Sequence, residues 1–179
     1  MPATRQQAVA NALASITNVP RYCAQWTRER FLVGALGDYD GDGAADAEDM
    51  WKAAKIRHQG DRNPPAGVPV YWGGGSQDNG HIAVSLGGGM IRSTDAAGAG
   101  KVGTVALDFP EKAWGMPYLG WSEDLYGYEI PDPEGDAARE AARIDAKIAR
   151  KKAKRAAALA IARKFKEQIQ RLTGKRPRQ

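Results

Sequence analysis

A single cysteine, Cys23, stands in a chain of 179 residues, so no internal disulfide forms and the fold does not depend on an oxidising compartment. Two histidines, His58 and His81, are the whole supply of imidazole. No apolar run approaches the ~20 residues that span a bilayer. Residues 1–22 lack a basic start followed by a continuous apolar stretch, which predicts no secretory signal. A target outside the cytoplasm then requires another route of export. What is present suffices for one ordinary domain with an appendage: 42% of the residues are hydrophobic.

The net charge of +5 conceals an asymmetry. Residues 1–138 carry 11 Lys and Arg against 18 Asp and Glu, a net −7. Residues 139–179 carry 15 against 3, a net +12. An acidic folded part is thus followed by a strongly basic segment.

The apolar spacing predicts a helix over 4–16, with Val9, Leu13 and Ile16 on one stripe. A second helix is expected over 22–33, anchored in the core by Trp26, Phe31 and Leu32. A Gly- and Asp-rich loop over 34–46 leads to a third helix over 47–56, burying Met50 and Trp51. Strands follow at 68–72, 81–86, 90–94, 101–107, 118–121 and 126–130, separated by glycine-rich turns. Pro69 marks an edge strand or a strand start. Helices first and an antiparallel sheet afterwards define an α+β pattern. This assigns residues 1–130 to a folded domain, 131–135 to a linker, 136–173 to a long basic helix and 174–179 to a tail.

Cys23 falls where the second helix begins, and His81 opens the strand Gly80-His81-Ile82-Ala83-Val84-Ser85-Leu86. A thiol at a helix start is favoured as a thiolate by the positive helix end and by a nearby imidazolium. A lone cysteine is otherwise a small buried hydrophobe. His58, in Lys55-Ile56-Arg57-His58, reads as a solvated helix end.

Cys23 at a helix start, the strand running from Pro65 to Trp72, and Gly80-His81-Ile82-Ala83 together resemble CHAP and NlpC-type peptidoglycan hydrolases. The resemblance extends to the stretches 89–95 and 118–125, and covers roughly residues 18–130. These stretches look like the catalytic domains of lysins from phages of actinobacteria. The resemblance implies a papain-like fold in which Cys23 attacks an amide carbonyl and His81 serves as base, then as acid. The same resemblance implies a third group, on the strand after the histidine strand, that orients the imidazole. Asp95 is the candidate, with Ser93 and Thr94 as alternatives; Asp95 also reads as a turn residue before Ala96-Ala97-Gly98. Related sequences often carry histidine near the position of Arg92, so this chain departs from the pattern there. The backbone N–H of Cys23 is a natural oxyanion donor, and the Tyr22 side chain a weaker one.

The segment 38–49 matches a calcium loop: Asp38, Asp40 and Asp42 at positions one, three and five, Gly43 at six, Ala44 at seven through its carbonyl, Asp46 at nine and Asp49 at twelve. So many carboxylates in one loop repel one another without a cation. Asp49 replaces the bidentate Glu of the pattern, and Ala47-Glu48-Asp49-Met50-Trp51 also reads as an ordinary helix start. The expected role of Ca2+ is structural.

Positions 141, 144, 148, 151, 155, 158, 162, 165, 169 and 172 follow three-four spacing and form a seam that is apolar at both ends and basic in the middle. The partner expected for such a helix is an anionic envelope polymer first and a virion protein second, with nucleic acid disfavoured. Phe165 is its only aromatic residue, which disfavours single-stranded nucleic acid. The expectation from the whole sequence is a phage-encoded peptidoglycan hydrolase, either endopeptidase or N-acetylmuramoyl-L-alanine amidase. It acts from the host cytoplasm on the wall, or from the virion. The alternative is a catalytically inactive lysin-like module of a virion, assembled through its C-terminal helix.

Overall fold

The computed structural model describes residues 1–75 and 77–174. The expected tail from Lys175 to Gln179 lies outside the described residues. Two units are separated by contact pattern, residues 1–132 and residues 133–179. The first is α+β. It contains a six-stranded antiparallel sheet, with strands in the order β1-β6-β2-β3-β4-β5. Its strands are β1 (Arg57–Gln59), β2 (Pro69–Trp72), β3 (His81–Gly87), β4 (Met90–Ser93), β5 (Gly103–Ala106) and β6 (Tyr118–Ser122). A separate two-stranded ribbon pairs β7 (Asp124–Leu125) with β8 (Tyr128–Glu129). The expected strand over 126–130 is therefore reduced to β8, because Tyr126 and Gly127, both at positive φ, form the turn that joins it to β7.

Helices α1 (Arg5–Ala14), α2 (Cys23–Arg30) and α3 (Ala47–Ala53) contribute to one core, in which Ala8, Ala12, Ala24, Trp26, Ala47 and Met50 join Tyr71, Ile82 and Val84 of the sheet. A second core gathers Val68, Val70, Trp72, Ala83, Ile91 and Trp121 with Leu107 and Met116. β2 is an interior strand, and Pro69 is tolerated because it stands at the strand's first position and pairs with Val84 alone.

Three local expectations are corrected. In α1 the buried residues are Ala8 and Ala12, while Leu13 and Ile16 are exposed. Small side chains let α1 lie close to α2 and β3, so volume rather than hydrophobicity selects the inner face. The start of α1 follows the chain's own signals: Thr4 Oγ1 accepts from Gln7 N–H and Gln7 Oε1 accepts from Thr4 N–H, a reciprocal capping box.

α2 ends three residues early, at Arg30. Leu32 takes φ 54, Val33 N–H donates to Arg28 C=O at 2.9 Å, and Leu32 N–H donates to Glu29 C=O at 3.2 Å. This left-handed stop swings Leu32 into solvent and drops Phe31 and Val33 into the core. Finally, His58 is no solvated helix end. It lies on β1, stacks on Trp121 at 3.6 Å and hydrogen-bonds Glu123 Oε1 at 2.9 Å.

One helix has no counterpart in the sequence reading. α4 (Phe109–Trp114) starts with Pro110 in its first turn and ends at Gly115, at φ 68. A proline just inside the start and a glycine just past the end are the asymmetry that marks a helix, here only 6 residues long.

The second unit is one helix, α5 (Pro133–Thr173), of 41 residues, with none buried. It starts inside the stretch expected as a linker, because proline suits the first helical position. Pro131 and Asp132 instead belong to the first unit: Arg5 N–H donates to Pro131 C=O at 3.0 Å, and the Arg5 guanidinium pairs with Asp132 at 3.1 Å. Ile144, Ile148, Phe165, Ile169 and Leu172 are exposed along α5. Among the described residues no helix is long and apolar enough to cross a membrane.

Candidate active site

Cys23 is the first residue of α2, and His81 is the first residue of β3. Both line one cleft of about 570 Å³, together with Arg21, Asn79, Asp95 and Trp114. Gly80 sets the approach of His81. It has φ 68, and a Cβ there would come within 2.8 Å of the Trp72 carbonyl oxygen. Only glycine allows that turn into the strand.

The imidazole is 6% exposed and lies between two indoles, Trp72 at 5.8 Å and Trp114 at 5.0 Å. His81 Nε2 lies 2.9 Å from Ser93 Oγ, and the Ser93 hydroxyl donates to Thr94 C=O at 3.1 Å. A hydroxyl has one proton. With that proton on Thr94, Ser93 accepts from Nε2–H, and the neutral ring carries its lone pair on Nδ1. This assignment comes from the hydrogen-bond network. It makes Nδ1 the nitrogen available to a thiol.

Asp95 is placed differently. Its carboxylate accepts from Asn18 Nδ2 at 3.0 Å, from Gly100 N–H at 2.7 Å and from Arg21 N–H at 3.2 Å. The residue has φ 57, so the chain leaves the strand at Ser93 and turns. Asp95 ties together the loop before α2 and the loop after β4, lines the cleft, and acts on His81 only as a nearby charge. Thr94 is fully buried and its hydroxyl has no partner among the described residues. Of the three groups considered as orienters, Ser93 is the one in contact with the ring.

Electrostatically the resting pair is uncharged. Burial pushes the Cys23 thiol up to about 11, although backbone N–H groups of Ile82, Ala24 and Cys23 itself pull it down. Burial pushes His81 down to about 4, against the opposing pull of the Asp95 charge. At neutral pH the thiol keeps its proton and the imidazole is free to take it. Tyr22 caps α2 without a side-chain hydrogen bond, which leaves the first-turn amides of Cys23 and Ala24 directed at the sulfur and at whatever binds beside it.

The depressed His81 pKa has a stability consequence. The unfolded imidazole titrates near 6.5 and the folded one near 4, so between these values the unfolded state binds more protons. Stability is fully present above pH 6.5 and is lost as pH falls toward 4, by about 3 kcal/mol. Urea titrations at pH 7 and pH 4.5 should show this loss in the wild type and a smaller one in His81→Gln. An equal loss in both proteins would remove His81 as the cause.

The acidic loop is the other candidate centre. Ligand oxygens of Asp38, Asp40 and Asp42, all exposed, lie within 4.8 Å of one another. Asp38 accepts from Gly41 and Gly43 N–H, and Asp42 from Ala44 N–H, which curls the loop around them. Lys52 reaches Asp40 at 2.9 Å. Asp46 instead caps α3, accepting from Glu48 and Asp49 N–H. Asp49 is 1% exposed, and its oxygens accept from the backbone N–H groups of Tyr39, Asp40 and Asp46. The structure thus gathers three of the expected ligands and gives Asp46 and Asp49 work inside the protein. The amides of Ala47 and Glu48 both donate to Asn79 C=O, which couples this loop's helix to the segment entering His81.

No protein-family model matches this chain, and no curated protein matches it.

Proposed function

We propose that the chain is a cysteine hydrolase of papain-like, CHAP or NlpC type that cuts an amide bond of bacterial peptidoglycan. The observation that carries this reading is the meeting of Cys23, at a helix start, and His81, at a strand start, in one cleft, with Ser93 fixing the ring. Substrate entering the cleft places its carbonyl carbon beside Sγ. His81 Nδ1 takes the thiol proton as sulfur attacks, and the Cys23 and Ala24 amides face the developing oxyanion. The same nitrogen returns the proton to the departing amine, and water then releases the acyl group by the reverse sequence. Two neutral partners make the first proton transfer part of the attack rather than a step completed beforehand.

Three clustered carboxylates support a divalent cation at Asp38, Asp40 and Asp42, with Ca2+ the ion suited to exposed oxygen donors. The ion's role in this reading is to hold the loop and, through α3 and Asn79, the floor of the cleft. At a hundredfold excess over Kd, bound calcium adds about 2–3 kcal/mol. Thermal melts should rise by several degrees with calcium and not with magnesium, and Asp40→Asn should remove the increment. Melts that ignore calcium would dismiss the ion.

The long basic helix suits an anionic envelope polymer or a virion protein as partner, and a phage-encoded lysin that reaches the wall after release or as part of the virion. An inactive virion module is the second reading, favoured by 41 helical residues with no buried face. Mass spectrometry of actinobacterial peptidoglycan incubated with the protein, with and without calcium, separates the two. New amine ends establish the hydrolase, and the fragment masses distinguish an amidase from an endopeptidase. Intact wall from several sources would leave the structural module standing.

A further inference from the structure

A second cleft, of about 450 Å³, runs along the flank of α2. Arg21, Cys23, Gln77, Asn79 and Gly80 line both clefts, so the nucleophile stands at their junction. A chain-like substrate crossing Cys23 therefore puts one end in each. The two ends meet different chemistry. The first cleft offers Trp114, Pro20, Ala99 and the glycines before His81. The second is lined by Ala24, Gln25 and Arg28, which share a face of α2 at three- and four-residue spacing, and by Arg21 from the turn before the helix, at φ 70.

Arg21 and Arg28 are the only Lys or Arg residues that line either cleft, and neither is committed to an ion pair among the described residues. Arg5, Arg30, Lys52, Arg62 and Lys112 each pair with a carboxylate. Asp46 also lines the cleft, but its carboxylate already caps α3. In a stretch of net negative charge, two uncommitted guanidinium groups flank the nucleophile. We propose that this second cleft is a carboxylate subsite, in which Arg28, with Arg21, holds an acidic group of the peptide being cut. A guanidinium presents paired N–H donors that match a carboxylate. The inference rests on the hydrolase reading for its substrate but not for its test.

The carboxylate belongs either to an acidic side chain or to a free peptide C-terminus, and binding separates the two. The probes are a cell-wall stem tetrapeptide with free carboxylates, the same peptide amidated on its side-chain carboxyl, and the same peptide amidated at its C-terminus. Calorimetry on full-length Cys23→Ala protein avoids turnover. One amidation should weaken binding 10–100-fold and so name the source. In the Cys23→Ala/Arg28→Ala protein that difference should shrink below twofold, and Arg28→Lys should restore part of it. Equal affinity for all three peptides, no binding of any, or an equal loss for all three on removing Arg28 overturns the subsite. Wild-type turnover of the same peptides keeps the two ideas apart. Cleavage indifferent to amidation leaves the hydrolase without the subsite, while Arg28-dependent binding without cleavage leaves the subsite without the hydrolase.

Discussion

Under the proposed hydrolase function, Cys23→Ala should lower release of wall fragments by at least about 10⁴-fold, as loss of the nucleophile does in covalent hydrolases, while the thermal midpoint stays within about 2–3 °C of wild type. Activity falls because no other thiol exists and the imidazole has nothing to deprotonate. Stability holds because Cys23 is only partly buried and sits at a helix start, where alanine is accommodated. Cys23→Ser tests the mechanism more finely. The hydroxyl occupies the same place, but its proton is far harder to remove, so activity should fall nearly as far.

The acid–base state of the pair adds a second readout. With the thiol pushed up to about 11 and the imidazole down to about 4, kcat/KM should fall only when His81 gains a proton, as pH drops through about 4. Alkylation of Cys23 by iodoacetamide should climb through the neutral range without a plateau, because the thiolate is scarce there. A plateau below pH 7 would show a preformed ion pair and overturn the neutral resting state. Full lysis by Cys23→Ala would overturn the hydrolase.

How much of this was legible beforehand depends on whether a residue's job is set by neighbours in sequence or across the fold. The α+β order and the positions of Cys23 and His81 are local signals: a helix start, and a glycine before an alternating strand. Spacing makes Asp49 a twelfth ligand, yet spacing does not reveal that the amides of Tyr39 and Asp40 fold back onto it. Asp95 stands two positions beyond Ser93, and an unbroken strand would have carried it toward His81. A left-handed turn at Asp95 itself takes it to Asn18 and Gly100 instead. The inner face of α1 is hidden in the sequence because alanine buries little area and signals little, although close packing demands it. Trp114 was invisible as a wall of the cleft because α4 is too short to show periodicity.

Asp124→Ala should destabilise the first unit by about 3–5 kcal/mol, the largest stability effect expected outside the hydrophobic core. Asp124 is 3% exposed. Its oxygens accept from Lys55 N–H at 2.9 Å, Ile56 N–H at 2.8 Å and Gly127 N–H at 2.7 Å. These amides come from the segment leaving α3 and from the turn between β7 and β8. One carboxylate thus holds the entry to β1 against the end of the domain. Its own carbonyl accepts from Ser122 Oγ at 2.6 Å, and Ser122 lies 3.0 Å from the buried Tyr71 hydroxyl. Alanine leaves three partly buried N–H groups without an acceptor, each costing about 1–3 kcal/mol before the loop relaxes. Asp124→Asn keeps the shape and one oxygen, but turns an N–H₂ toward amide donors, so it should cost less than alanine but more than about 1 kcal/mol. Chemical denaturation of the three proteins checks the order. The variant should also expose the amides of Lys55 and Ile56 to hydrogen exchange while those of β3 stay protected, because β3 is paired on both sides within the sheet. Equal stability of wild type and Asp124→Ala would mean that the carboxylate is solvated, not structural, and that β1 is held by its pairing with β6 alone.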